Sequence, residues 1–242
     1  MSESRVKLTF AGQAGFIIEC SCGYKIGIDL YLSNCCERYF GFKRLLPYIY
    51  NPLDMDLDLI ISTHAHFDHF DPDSVPLMMS NPKTKLLAAY DVKLEAERLG
   101  LDANRISYIK SGDVFDNDCV KIEALPCDHG DAAPDAVALL IEIAGKKIYI
   151  AGDTAYREDY FVSPKLQNTD VFIAPINGAF GNMNEQEAAK AAGIVKSKLF
   201  IPCHYWNFAE HGGNPNLFAE AMKENHSELN YLLMRPNETI CL

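Results

Sequence analysis

The chain has 242 residues, 48% hydrophobic and 23% charged, and 22 Lys+Arg against 33 Asp+Glu leave a formal charge of −11 at pH 7. At this length roughly 70–75% of the unfolded surface can be buried, so global disorder is excluded and the core needs no disulfide staple. The acidic balance argues against a surface that covers a phosphate backbone, because nonspecific nucleic-acid affinity comes from clustered Lys and Arg.

The opening residues, Met1 to Phe10, carry no basic region followed by a long apolar run, so no secretory leader is read. No stretch reaches the roughly 18 apolar residues of a membrane helix. The expectation is a soluble cytoplasmic protein without a membrane partner. Its eight cysteines, Cys20, Cys22, Cys35, Cys36, Cys119, Cys127, Cys203 and Cys241, are expected as reduced thiols. A zinc knot built from Cys20, Cys22, Cys35 and Cys36 is the alternative, at a spacing unlike the common structural patterns.

In chain order, β-branched runs bounded by turn residues predict strands over 6–10, 15–20, 25–30 and 57–62. Asp71-Pro72 offers an N-cap and first-turn proline for a short helix through Met79. A strand over 85–89 leads into a helix from Asp91 that Gly100 ends. Strands follow over 119–125 and 136–143. In the latter Val137, Leu139, Ile141 and Ile143 share one face at period two. Ala144-Gly145 then turns the chain back into 147–151, so 136–151 reads as a hairpin. Strands over 171–174 and 199–202 flank a helix from Asn184, which can form a capping box with Glu187. A last helix starts at Asn214-Pro215, and a final strand over 231–234 closes the chain. No linker, low-complexity tract or short-period repeat interrupts the order. One domain over 1–242 is expected. Two β-rich halves with late helices bury both sheets by facing each other, as an α/β four-layer α/β/β/α sandwich.

The chemistry concentrates in Ser62-Thr63-His64-Ala65-His66-Phe67-Asp68-His69, directly after an apolar strand. A lone histidine is most simply a hydrogen-bonded core or surface residue. Three imidazoles and a carboxylate within six positions would be costly to bury without a cation, and this donor mixture suits zinc, manganese or iron.

That run resembles the signature of the metallo-β-lactamase-fold hydrolases, and residues 29 to 204 supply the family's other markers in order. His129 in Pro126-Cys127-Asp128-His129-Gly130, Asp153 in Gly152-Asp153-Thr154 and His204 in Pro202-Cys203-His204-Tyr205 resemble the later ligands; Asp29 in Gly27-Ile28-Asp29-Leu30 resembles the early aspartate. The resemblance implies the sandwich fold and one ion held by His64, His66 and His129. A second would be held by Asp68, His69 and His204, with Asp153 bridging the pair. The cofactor so implied is two divalent metal ions, zinc or manganese, with iron acceptable. Asp29 would accept the free ring N–H of a ligand histidine and fix its tautomer. Leu30 stands where the family often has proline. A metal-bridging hydroxide would act as nucleophile, with Asp68 orienting it and carrying its proton. Cys127 and Cys203 read as packed thiols rather than nucleophiles.

The strings Ile28-Asp29-Leu30-Tyr31-Leu32-Ser33, Gly152-Asp153-Thr154-Ala155-Tyr156, Pro175-Ile176-Asn177-Gly178 and His204-Tyr205-Trp206-Asn207-Phe208 are similar to the ascorbate 6-phosphate lactonase branch, although the chain is shorter than expected for that enzyme. This implies cleavage of an ester or lactone bond, with a phosphorylated sugar-acid lactone as one form of the substrate. Asn177, Tyr205, Arg157 and His211 follow metal markers and are candidate contacts to an anionic small molecule. For Arg157 and His211 an ordinary exposed loop position is at least as good a reading. A phosphodiesterase or nuclease-type hydrolase is the alternative function, disfavoured by the absence of a basic, aromatic-interleaved arm. A diiron redox role would be expected to place a carboxylate at His66, and a noncatalytic binding module would typically have lost ligands. A homo-oligomer is left open.

Overall fold

The computed structural model describes residues 5–242; the first four residues of the expected 1–242 domain lie outside the described residues. The first half builds a seven-stranded mixed sheet. Strands β1 (Val6–Gly12), β2 (Gly15–Cys20) and β3 (Lys25–Ile28) run antiparallel; β4 (Leu59–Ser62), β5 (Lys85–Ala89) and β6 (Ile106–Ile109) then extend it in parallel from β3. Helices α1 (Cys35–Phe40), α2 (Ser74–Met78) and α3 (Lys93–Arg98) interrupt this half. The second half builds a six-stranded sheet from β7 (Val114–Asp116), β8 (Val120–Pro126), β9 (Val137–Ile143), β10 (Lys146–Ile150), β11 (Val171–Pro175) and β12 (Leu199–Cys203), ordered 12-11-10-9-8-7. Helices α4 (Glu158–Phe161), α5 (Glu185–Val195) and α6 (Pro215–Asn225) belong to it, and β13 (Thr239–Cys241) returns to pair antiparallel with β1.

Alternation along the strands assigns the layers. In β4, Leu59 and Ile61 join a core shared with the second sheet, whereas Ile60 joins Val75, Met78, Val92 and Ala96 beneath α2 and α3. Leu87 and Ala89 of β5 repeat the inward set, Leu86 and Ala88 the outward one. On the far side the alanine face of α5 (Ala188, Ala189, Ala191, Ala192) and Phe218, Ala221 and Met222 of α6 are buried in the shared core. The result is the α/β/β/α sandwich expected from the sequence. Strand β9 is buried on both faces, Ala138 and Leu140 as fully as Val137 and Leu139, because helices cover the sheet's outer side.

Several local expectations hold. Ala144 (φ 47°) and Gly145 (φ 77°) make the left-handed pair that closes the β9–β10 hairpin. Asn184 and Glu187 form the reciprocal capping box of α5. Others need correction. The segment 231–234 is no strand: Tyr231 makes a single bridge to Phe200, and β13 closes the chain instead. Helix α2 begins at Ser74 rather than at Pro72. Asp71 still caps it, accepting from the Asp73 and Ser74 N–H groups while also binding the Leu32 and Ser33 N–H groups after β3. Cys20 and Cys22 are joined as a disulfide across the turn where the Gly23 N–H donates to the Cys20 carbonyl, against the expectation of free thiols throughout. The tight reversal sets their Cα atoms 5.2 Å apart, and Cys35 and Cys36 lie in a separate aromatic cluster, so no four-cysteine zinc knot forms. The other six cysteines are free.

Candidate metal centre

Strand ends gather the chemistry at one edge of the sandwich, the crevice where α/β sheets place ligand-handling loops. Asp29 follows β3, the 63–69 run follows β4, His129 follows β8, Asp153 follows β10 and His204 follows β12. The chain must bend sharply to turn these side chains inward. Asp29 (φ 46°) and His204 (φ 63°) take left-handed backbone, which Asp and His adopt more readily than most residues. At Gly152 (φ 67°) a Cβ would stand 2.9 Å from the Val137 carbonyl oxygen, so only glycine lets β10 deliver Asp153.

Two donor groups converge. His64 Nε2 lies 3.0 Å from His66 Nδ1, and His129 Nε2 lies 3.1 Å from the same atom. His204 Nε2 is 3.3 Å and His69 Nε2 3.6 Å from Asp68 Oδ2. Asp153 Oδ2 stands between the groups, 3.0 Å from His204 Nε2, 3.4 Å from His69 Nε2 and 3.8 Å from His129 Nε2. Ligand nitrogens about 2.0–2.1 Å from a tetrahedral cation stand roughly 3.3 Å apart, so both spacings suit one ion per group. Buried His69 Nε2 has no hydrogen-bond partner and points at the Asp68 and Asp153 carboxylates. The seven side chains therefore fit divalent cations, and this donor set accepts zinc, manganese or iron.

Hydrogen bonds behind these candidate ligands fix their tautomers. Asp29, fully buried, accepts from the Thr63 N–H at 2.8 Å, from the Thr63 hydroxyl at 2.7 Å and from His69 Nδ1 at 2.9 Å. Since that hydroxyl gives its proton to Asp29, it accepts from His64 Nδ1 at 3.1 Å. Both imidazoles thus turn Nε2 toward the centre. Gln13 (φ 55°) in the β1–β2 turn donates Nε2 to Asp68 Oδ2 at 2.9 Å, while its backbone carbonyl accepts from the His204 backbone N–H at 2.8 Å.

Electrostatics divides the groups. Burial holds His64, His66 and His129 below the ordinary imidazole range, as neutral donors. For His69 burial works the same way, yet Asp153, Asp68 and Asp29 outweigh it and hold the ring well above the usual range; His204 is raised to about 9 against the same burial by Asp153 and Asp68. Burial opposes ionisation of Asp68 and Asp153, but their histidine neighbours win and hold both well below the usual carboxylate range.

Above the cluster opens a cavity of about 370 Å³. Besides His66, Asp68, His129, Asp153 and His204 its walls are Cys36, Phe40, Phe42, Ala65, Phe67, Phe180 and His211. Of the four expected substrate contacts only His211 lines it. Its Nδ1 is 3.1 Å from Gln13 Nε2, and burial lowers it to about 4. Arg157 is committed to Asp128 at 2.8 Å and Asp159 at 3.1 Å. The Tyr205 hydroxyl donates to the Met234 carbonyl, and Asn177 braces its own loop through Ala179 and Asn182. Sequence reading missed Gln13, Thr63 and the phenylalanine walls. Thr63 and Phe67 lie inside the histidine run, where the metal donors beside them carry the signal; a glutamine in a Gly-Gln-Ala-Gly turn carries no signal of its own.

A profile of the beta-lactamase superfamily domain matches residues 7–204. The chain belongs to that superfamily. Within it, the chain is 30% identical over 191 residues to a UPF0173 metal-dependent hydrolase of Saccharolobus solfataricus, covering 77% of this chain and 82% of that one. A UPF0173 metal-dependent hydrolase of Aeropyrum pernix is 29% identical over 247 residues and 96% of each chain. Among solved structures, Igni18, a metallo hydrolase of Ignicoccus hospitalis, superposes with TM-score 0.77 at 24% identity over 98% of each chain. The chain is accordingly a metal-dependent hydrolase of the superfamily, with the superfamily's fold and His/Asp clusters able to hold metal.

Proposed function

We propose that residues 1–242 act as one hydrolase domain that cleaves an ester or lactone bond at a two-ion centre, zinc or manganese with iron acceptable. His64, His66 and His129 would hold one ion and Asp68, His69 and His204 the other, with Asp153 shared between them. The observation that carries this reading is the position of Asp153 Oδ2, within 3.8 Å of ring nitrogens from both groups. Ions bound there supply hydroxide near neutral pH by lowering the pKa of water and polarise the scissile carbonyl. The protein does the rest. Asp68, ionised and pinned by Gln13, orients the nucleophile and takes its proton for delivery to the leaving group. Asp29 and Thr63 keep the imidazoles in register, and the aromatic walls thin the water around the reacting bond.

With Arg157 engaged by two carboxylates and no Lys or Arg among the described residues of the cavity wall, the phosphorylated-lactone form of this reading loses the cation it called for. Turnover of p-nitrophenyl acetate and of bis(p-nitrophenyl) phosphate by zinc- and manganese-loaded protein tests the proposal. The expected result is ester turnover exceeding diester turnover, abolished by chelator and by His66→Ala. Diester turnover alone would favour the phosphodiesterase alternative, and activity surviving both treatments would refute a metal mechanism.

A further inference from the structure

The walls above the cation positions are more apolar than ester hydrolysis demands. Phe67, Phe40, Phe42 and Phe180 form a continuous aromatic chain with centroid spacings of 5.6, 6.0 and 5.8 Å. His211 closes it, 5.0 Å from Phe180 and 5.1 Å from Phe42. Every other polar side chain in the lining is one of the seven proposed ligands. Two rings are left half in water at the mouth, Phe40 at 54% and Phe180 at 57% exposure. Exposed rings around a concave site mark a surface that a ligand completes.

A second observation singles out Phe180. Its φ of 55° lies in the left-handed region, where a bulky side chain is rarely found. Hydrogen bonds on either side brace that turn: the Gly178 N–H donates to the Met183 carbonyl at 2.9 Å, Asn182 Nδ2 to Asn177 Oδ1 at 3.0 Å, and Asn177 Nδ2 to the Ala179 carbonyl at 3.2 Å. Buried amides thus hold an unfavourable backbone so that a phenyl ring stands at the mouth. Such over-determined strain gathers where a site needs a group placed.

We infer that the substrate is a neutral ester or lactone bearing a phenyl- or benzyl-sized apolar group beside the scissile bond, which packs against Phe42 and Phe180. This rests on the hydrolase reading above and adds the chemistry of the part that does not react. An apolar group removes the half-exposed rings from water. An anionic group in the same place would lose its hydration against rings that return no counter-charge.

Metal-loaded protein is assayed on p-nitrophenyl phenylacetate and on the mono-p-nitrophenyl ester of succinic acid, which share a leaving group, with each rate divided by the rate of buffer hydrolysis. The expected preference for phenylacetate is about tenfold or more in kcat/KM, equivalent to about 1.4 kcal/mol. Phe180→Gly should raise KM about tenfold more for phenylacetate than for the succinate ester, and keep Tm because glycine accepts the left-handed backbone. Equal or reversed preference, or equal loss on both esters, overturns the inference. A separate arm measures phenylacetamide binding to the metal-free protein by calorimetry. Binding that weakens about tenfold in Phe180→Gly supports the aromatic site, and no binding overturns it. If neither ester turns over, the hydrolase reading fails and this arm alone decides the inference.

Discussion

Replacing Asp29 by asparagine should weaken both proposed cation sites at once, although Asp29 belongs to neither donor group. Asparagine tolerates the φ of 46° and has nearly the same shape, so backbone and packing are spared. The hydrogen bonds change sign. Asp29 Oδ2 now accepts from both the Thr63 hydroxyl and His69 Nδ1, at 2.7 and 2.9 Å. An amide NH₂ in that place donates to both. His69 must then carry its proton on Nε2, pointing into the centre. The Thr63 hydroxyl, turned to accept, sends its own proton to His64 Nδ1 and forces the same change there. Loss of such an outer partner typically costs 10–100-fold in metal affinity, or about 1.4–2.7 kcal/mol per ion. Metal titration against a competing chelator, resolving the two sites, provides the assay. Thr63→Val is the companion: it cuts only the relay to His64, so the His64–His66–His129 site should weaken and the other stay within about twofold. Unchanged affinity at both sites in Asp29→Asn would refute the tautomer reasoning.

In metal-free protein the two groups should also differ in protons. Loading His64, His66 and His129 at pH 7 should release almost none, because their pKa values are lowered, whereas loading Asp68, His69 and His204 should release more than one; calorimetry in buffers of different ionisation enthalpy counts them. Because the folded pKa of His204 is raised to about 9, its stabilisation is complete below the unfolded value of about 6.5 and is lost as pH rises through 9, so apo-protein Tm should fall across that window. Arg157→Met should change KM for neutral and anionic esters equally and by less than about threefold, since the guanidinium is tied to Asp128 and Asp159; a selective rise for the anionic ester would restore its role in substrate binding. Burial keeps the Cys127 and Cys203 thiols raised and protonated, so a thiol-labelling reagent at pH 8 should modify exposed Cys241 and spare both, as mass spectrometry would show.

The fold was legible where local chemistry and tertiary context agree. The β9–β10 hairpin announced itself by alternation and an Ala-Gly turn, and α5 by its capping box. Strands β6, β7 and β13 did not. Each has three or four residues, too few for a periodic signal, and β13 forms only because β1 offers it an edge. The segment 231–234 carries strand-like residues but meets the second sheet at one bridge, so tertiary placement overrode propensity. The 64–69 ligand candidates are legible because a dense His/Asp run has few other uses, whereas His129, Asp153 and His204 are named through the family resemblance. Substrate contacts are legible in neither way. Whether a loop arginine faces a cavity depends on which carboxylates lie beside it, and Asp128 and Asp159 reached Arg157 first. The aromatic wall is drawn from α1, the loop after it, the histidine run and the 178–181 turn, segments that only the folded chain brings together.

The central claim is that seven side chains hold two ions around Asp153. Anomalous diffraction from crystals of zinc- or manganese-loaded protein tests it directly. The account predicts two peaks, one bound by His64, His66 and His129 and the other by Asp68, His69 and His204, both touching Asp153. A single peak, or an ion whose ligands include none of Asp153, His129 and His204, would contradict it.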